Sequence, residues 1–299
     1  MKSNIPFNKF YKTFNFISLL LIIFSLFLLI FKGLNYGVDF KGGTLIELRT
    51  INKQITITKL RSSFIKMNLG DVSVKKFGND NDYLVKFEKK RNDNSNFINE
   101  IKNELTLLLG KDFDFRRVEN VGPKVSAELL RSGIIAIVIS LAAMLFYIWI
   151  RFEWQFSVGA IAALFHDVIV TLGIFSLFNL EINLSIVAAV LTIVGYSMND
   201  TVVIYDRFRE NLKKLGDTKI FEITNISINE TLSRTIITSI TTLLALLSIF
   251  FFGGEILKGF SLAMILGVIF GTYSSIYIAN PILVFFRVSR KTIVKEEND

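Results

Sequence analysis

The chain has 299 residues, 51% of them apolar, a mean hydropathy of +0.48 and several apolar runs near the ~20 residues that cross a hydrocarbon layer, which excludes a wholly soluble protein and indicates a polytopic membrane protein. With no cysteine, it has neither disulfides nor a thiolate metal site or nucleophile. The formal net charge of +8 is spread over loops and flanks without a nucleic-acid-binding motif, so it reads as membrane topology and no nucleic-acid partner is expected.

From the N-terminus, residues 1–13 carry Lys2, Lys9 and Lys12 ahead of a first apolar span at 14–31. The small residues of a cleavage site do not follow it, so an uncleaved anchor is expected. The next segment, 37–126, is polar and contains no span. It opens on Gly37-Val-Asp-Phe-Lys-Gly-Gly-Thr44 and closes on Val121-Gly-Pro-Lys-Val-Ser126. Gly37, Gly42, Gly43 and Gly122 admit positive φ and Pro123 fixes its own, which predicts either a hinge of defined geometry or a plain pair of linkers. Asp39 fits a turn or capping role.

Between these crossings Thr44–Thr50 alternates as a strand, and Thr56–Met67 is helical with Leu60 and Phe64 on one face. Val72–Phe77 and Tyr83–Phe87 alternate on either side of a polar turn at Asn79–Asp82. Asn96–Leu109 is helical and Phe113–Val118 is a last strand. The order βαββαβ predicts an α+β ferredoxin-like domain. No Ser/His/Asp constellation, metal-ligand spacing or phosphate loop is present in it, so binding or mechanical coupling is expected there and an enzymatic role is not.

Five further spans are predicted at 132–150, 155–178, 183–205, 235–252 and 260–286, followed by a tail at 287–299, which makes a bundle of six transmembrane helices. The third span contains His166 and Asp167, about 16 Å from its start at Gln155 and so near the midplane. Polar neighbours at that depth face the bundle interior or a partner chain, and serve proton transfer, a subunit seam or structure alone. Their side chains are expected to diverge, since adjacent helical positions point about 100° apart.

The fourth span carries Asp200, and a carboxylate inside a span costs roughly 2.5–3.5 kcal/mol on insertion, so it is read as functional. It lies roughly 28 Å from Glu181 and about 9 Å from Asp206 along the helix. Ser197, Asn199 and Thr201 surround it in sequence and are candidates to satisfy the carboxylate or order water, the alternative being ordinary interhelical hydrogen bonds. Arg234 opens the fifth span at a similar depth, so a pair with Asp200 across antiparallel neighbours is geometrically allowed; the alternative is a snorkelling anchor. Thr238 follows it by one turn. Gly267, Gly271 and Ser275 form a small-residue stripe in the sixth span, a packing face within the bundle or toward a partner.

Cytoplasmic short segments hold Arg151, Arg207, Arg209, Lys213, Lys214, Lys219, Arg287, Arg290, Lys291 and Lys295, whereas the opposite loops, 179–182 and 253–258, hold only Lys258. Both termini are therefore expected in the cytoplasm and the large domain outside.

The stretches 37–44 and 121–126, His166-Asp167, Gly195-Tyr-Ser-Met-Asn-Asp200, Asp206-Arg-Phe-Arg-Glu-Asn211 and Ser233-Arg-Thr-Ile-Ile-Thr-Ser239, in this order, resemble the SecF side of the SecD/SecF family of the bacterial Sec machinery, within the resistance–nodulation–division superfamily. The resemblance runs from about residue 37 to 281. It implies an accessory export subunit of the bacterial cytoplasmic (inner) membrane that pairs with SecD as obligate partner and assists the SecYEG channel in late translocation and release of unfolded preproteins. It implies Asp200 as the titrating proton carrier and Arg234 as its charge partner. The proton gradient supplies the energy and no cofactor is needed. In the family SecD is a separate chain or fused in front; residue 1 already begins the SecF-like anchor, so SecD is expected to be absent from this chain. A proton-coupled exporter of lipids or small molecules is the alternative, although such chains generally carry two large outer domains.

Overall fold

The computed structural model describes residues 5–51, 55–70, 72–77, 79–87, 97–110, 113–215 and 218–289; the expected tail lies outside them from residue 290 on. In chain order the elements are α1 (Tyr11–Phe31), β1 (Gly43–Thr50), α2 (Ile57–Lys66), β2 (Val72–Phe77), β3 (Asn79–Phe87), α3 (Phe97–Leu109), β4 (Phe113–Val121), α4 (Pro123–Arg151), α5 (Trp154–Leu177), α6 (Leu184–Lys214), α7 (Ile220–Phe252), α8 (Glu255–Ser274), a π-helical turn (Ser275–Ala279) and α9 (Asn280–Phe285). They divide into two units, Tyr36–Gly133 and the rest of the chain.

The smaller unit is built on a sheet of order β2-β3-β1-β4 in which every neighbouring pair is antiparallel. Alternation puts Ile46, Leu48, Val74, Tyr83, Val85 and Phe87 on one face, against Leu60 and Phe64 of α2 and Phe97, Ile101 and Leu105 of α3. Helix α2 starts where it does because the Thr56 hydroxyl accepts the Lys59 amide at 3.3 Å, an N-cap. The polar run expected as a turn at 79–82 belongs instead to β3. Asp82 stands opposite Arg49 of β1, which donates two hydrogen bonds to its carboxylate at 2.6 and 2.7 Å, so the charge that disfavours a strand is met across the ladder.

At the crossings, Gly42 and Gly43 take the expected positive φ, 78° and 124°. Gly37 does not: with φ −75° and ψ −179° it precedes a helical turn at Val38–Lys41 in a conformation open to any residue. Gly122 is not among the positive-φ glycines either; its carbonyl accepts the Ser126 amide as α4 begins, and Pro123 takes the first helical position, where no N–H is required.

In the larger unit, six helices are long and apolar enough to cross a membrane: Phe7–Phe31, Lys124–Arg151, Trp154–Leu177, Leu184–Lys214, Ile220–Phe252 and Leu257–Phe285. Half or more of the span is buried within the chain in α5, α6 and α8 with its π turn, and less than a fifth in α1, α4 and α7, so the first three form the interior. Lipid gives apolar side chains no reason to turn inward, and α1 attaches through its small and polar residues. Its buried positions are Tyr11, Ser18 and Ser25, one per heptad; Ser18 pairs with the Tyr273 hydroxyl at 2.7 Å, and Ser25 packs on Gly173, where an added Cβ would lie 2.9 Å from the Ser25 Cα.

Candidate functional site

Helix α6 is capped at its N-terminal end by Asn183, whose side chain accepts the Ile186 amide at 3.1 Å, and runs unbroken for 31 residues. Glycines let it meet α8 closely. A Cβ on Gly267 would fall 2.2 Å from Ile193 Cγ1 and one on Gly271 2.9 Å from Ser197 Cβ, so the small-residue stripe of the sixth span faces α6 within the bundle.

Asp167 of α5 sits where α5, α6 and α8 converge, fully buried. Its Oδ2 accepts hydrogen bonds from Ser197 Oγ of α6 at 2.6 Å and Ser274 Oγ of α8 at 2.8 Å, and its Oδ1 lies 2.9 Å from His166 Nδ1. The expected divergence of His166 and Asp167 is thus overcome by side-chain reach. The imidazole bends toward its neighbour with its ring against Tyr273, and His166 Nε2 is buried without a partner.

Asp200 is also buried, with 4% of its surface exposed, but its Oδ2 has no hydrogen-bond partner. Thr272 of α8 is its nearby hydroxyl, and Arg234 of α7 is near enough for its charge to act on the carboxylate. No ion pair joins Asp200 and Arg234 in this structure, and Arg234 makes none with any described residue. The guanidinium, Asn199 and Thr192 are exposed on the surface of the unit.

The hydroxyls expected around Asp200 serve other groups. Ser197 turns to Asp167, because three residues of helix leave it about 60° around the axis from Asp200, toward α5. Thr201 pairs with Ser275 at 2.8 Å, and Thr238 bonds the Arg234 carbonyl of its own helix at 3.0 Å. Thr272 and Ser274 escaped the sequence reading, although Gly271-Thr-Tyr-Ser-Ser275 is a run of hydroxyls inside an apolar span. Thr272 also pairs with Ser239 of α7 at 2.7 Å. Next to this run the helix widens into its π turn, and Asn280 Nδ2 donates to the Ser275 carbonyl at 2.6 Å. Among the described residues no three His, Asp or Glu side chains gather as a cage for a metal ion. The arrangement offers one carboxylate engaged by two serine hydroxyls and an imidazole nitrogen, and another with an open oxygen beside a hydroxyl and an unpaired cation.

Residues 101–289 match the family model described as protein export membrane protein SecD/SecF, C-terminal, and residues 27–50 match the SecD/SecF GG motif. Over 269 residues, 89% of this chain and 88% of the relative, the sequence is 47% identical to the protein translocase subunit SecF of Rickettsia bellii. Over 286 residues, 95% and 92% of the two chains, it is 44% identical to the protein of the same name from Rickettsia prowazekii. Among solved structures it is similar to SecDF of Thermus thermophilus, a translocon-associated membrane protein, with 36% identity and a TM-score of 0.83 over 94% of this chain. A super-membrane-facing form of SecDF matches with 35% identity and a TM-score of 0.69. This chain spans 38% of each SecDF chain.

Proposed function

Because this chain belongs to the SecD/SecF family of protein-export membrane proteins, we propose that, together with a SecD-like partner, it uses the proton motive force to drive late steps of preprotein translocation and release through the SecYEG channel. Asp200 carries this reading: a buried carboxylate at membrane depth with one oxygen open, within the electrostatic reach of Arg234. A helix movement that brings Arg234 onto Asp200, or takes it away, changes which protonation state the pair favours and so couples proton transfer to motion. Each proton crossing the membrane contributes about 2.3 kcal/mol per 100 mV. A few per cycle are enough for a rigid-body motion without a nucleotide, a cofactor or enzymatic chemistry.

The exposed polar groups of α6 and α7 support the partner. Lipid supplies no hydrogen bonds to Arg234 and Asn199, so this face is completed by another protein, for which the SecD-like subunit is the family's candidate. The strand order and the sequence βαββαβ support a ferredoxin-like reading of the smaller unit. The charge bias of the short loops supports its location outside the bacterial inner membrane, with both termini in the cytoplasm.

The test is preprotein export by membrane vesicles containing the chain and its SecD-like partner, with and without a proton gradient. Asp200→Asn is expected to lower the gradient-dependent component about tenfold or more, the loss of a charge-dependent step worth about 1.4 kcal/mol or more, while the complex still assembles. Gradient-dependent export at the wild-type level in Asp200→Asn would overturn the coupling role. An unchanged export rate together with gradient-driven efflux of a lipid or small molecule would favour the exporter instead.

A further inference from the structure

Asp167 and Asp200 differ in how completely their oxygens are occupied, and that difference separates their jobs. Asp167 binds one group from each of three places: His166 on its own helix, Ser197 on α6 and Ser274 on α8. We infer that Asp167 is the positioning residue of the coupling site, a hydrogen-bonded clasp that holds α6 and α8 in the register that sets Asp200 beside Thr272. This inference rests on the reading of Asp200 as the coupling carboxylate.

The geometry of α6 gives the clasp its leverage. Ser197 and Thr201 are four residues apart and lie within about 40° of each other around the axis, with Asp200 about 60° to the side of Ser197. Ser197 is held by Asp167, and Thr201 by Ser275, the residue that follows the second clasp donor, Ser274. The sixth span therefore holds one face of α6 at two points on either side of the level of Asp200, Ser197 through Asp167 and Thr201 directly. The same face touches α8 at Gly267 and Gly271, so a rotation of α6 strains both hydroxyl contacts and the close packing together.

The hydrogen-bond directions show that the clasp requires an acceptor and not a charge. Both serine hydroxyls converge on Oδ2, Ser274 Oγ lying closer to it, at 2.8 Å, than to its other acceptor, the Gly271 carbonyl at 3.2 Å; with both donating there, that oxygen is acceptor only. Any proton held by the carboxyl must then lie on Oδ1, on the line to His166 Nδ1. An asparagine reproduces this pattern: its carbonyl oxygen accepts both serines and its amide donates to Nδ1 of a neutral imidazole. A leucine of similar size offers nothing to the serines.

The experiment measures gradient-dependent and gradient-independent preprotein export in vesicles carrying the full chain with its SecD-like partner, alongside the amount of assembled complex. Asp167→Asn is expected to keep the gradient-dependent component within about twofold of wild type. Asp167→Leu and the double variant Ser197→Ala/Ser274→Ala are expected to lower it about tenfold, leaving gradient-independent export and complex amount in place. If Asp167→Leu fails to assemble, the serine variant, which removes two hydroxyls and almost no volume, decides. Asparagine as defective as leucine in an assembled complex overturns the clasp, because the carboxyl proton itself is then required. Wild-type export by the serine variant also overturns it, as does a loss of export that only follows a loss of complex. Asp200→Asn, measured beside them, separates the premise: full gradient-dependent export there removes the coupling role of Asp200 whatever the Asp167 variants do.

Discussion

Ionisable side chains in this protein are distinguished by what surrounds them more than by their type. Asp167 has three hydrogen-bond partners and Asp200 keeps an open oxygen, although both are buried acids in apolar helices. In the smaller unit the contrast is between Arg49 and Lys86. Arg49 is held by the Asp82 carboxylate, which raises its affinity for its proton. Burial, and then repulsion from Lys75, pushes Lys86 down to about 8 from the ordinary 10.5. Between those two values the unfolded chain binds more protons than the folded one, so the stability of the sheet rises as pH climbs from about 8 toward 10.5. Amide-exchange protection of β2 and β3 in the full chain is expected to increase over that window, and Lys86→Met is expected to flatten the rise. A slope that persists in Lys86→Met would assign it to another group.

At the level of elements, contact is closest where side chains are smallest. Gly173 lets α5 approach α1 so nearly that any side chain meets backbone: Gly173→Val is expected to lower the stability of the purified protein by about 1–3 kcal/mol, read as a fall in its melting temperature in detergent. An unchanged melting temperature would mean that α1 moves aside freely. The helix ends around Asp206 show a second use of charge. Arg151 pairs with Asp206, Arg209 with Glu153 and Arg207 with Glu230, so residues that the sequence marks as topology signals also tie the α4–α5 turn and α7 to the end of α6. The fifth apolar span at 235–252 is only the second half of α7, which begins at Ile220. An α-helix has no reason to stop at the membrane surface, and Ile223 and Ile228 are buried in the added turns. Hydropathy made the spans legible, while the extensions beyond them depend on what the polar-flanked turns pack against.

For the whole molecule, the arrangement of helices leaves α1, α4 and the apolar span of α7 largely uncovered and buries His166 and Asp167 at the junction of α5, α6 and α8. The absence of native cysteine makes the orientation directly testable. A single cysteine at exposed Lys102 on α3 is expected to react with a membrane-impermeant maleimide in intact cells stripped of their outer barrier, and labelling only after lysis would invert the assigned topology. The sequence by itself determined the number of apolar spans, the strand and helix order of the polar segment, and the two intramembrane acids, because hydropathy and alternation are properties of neighbouring residues. It could not determine that Ser197 serves Asp167 while Asp200 keeps an open oxygen. Each helical residue points about 100° from the last, so which acid a hydroxyl meets is decided by how three helices, separated by tens of residues in the chain, rotate and close against one another. Only the tertiary packing, through glycines 267 and 271 and the serines of the sixth span, sets that rotation.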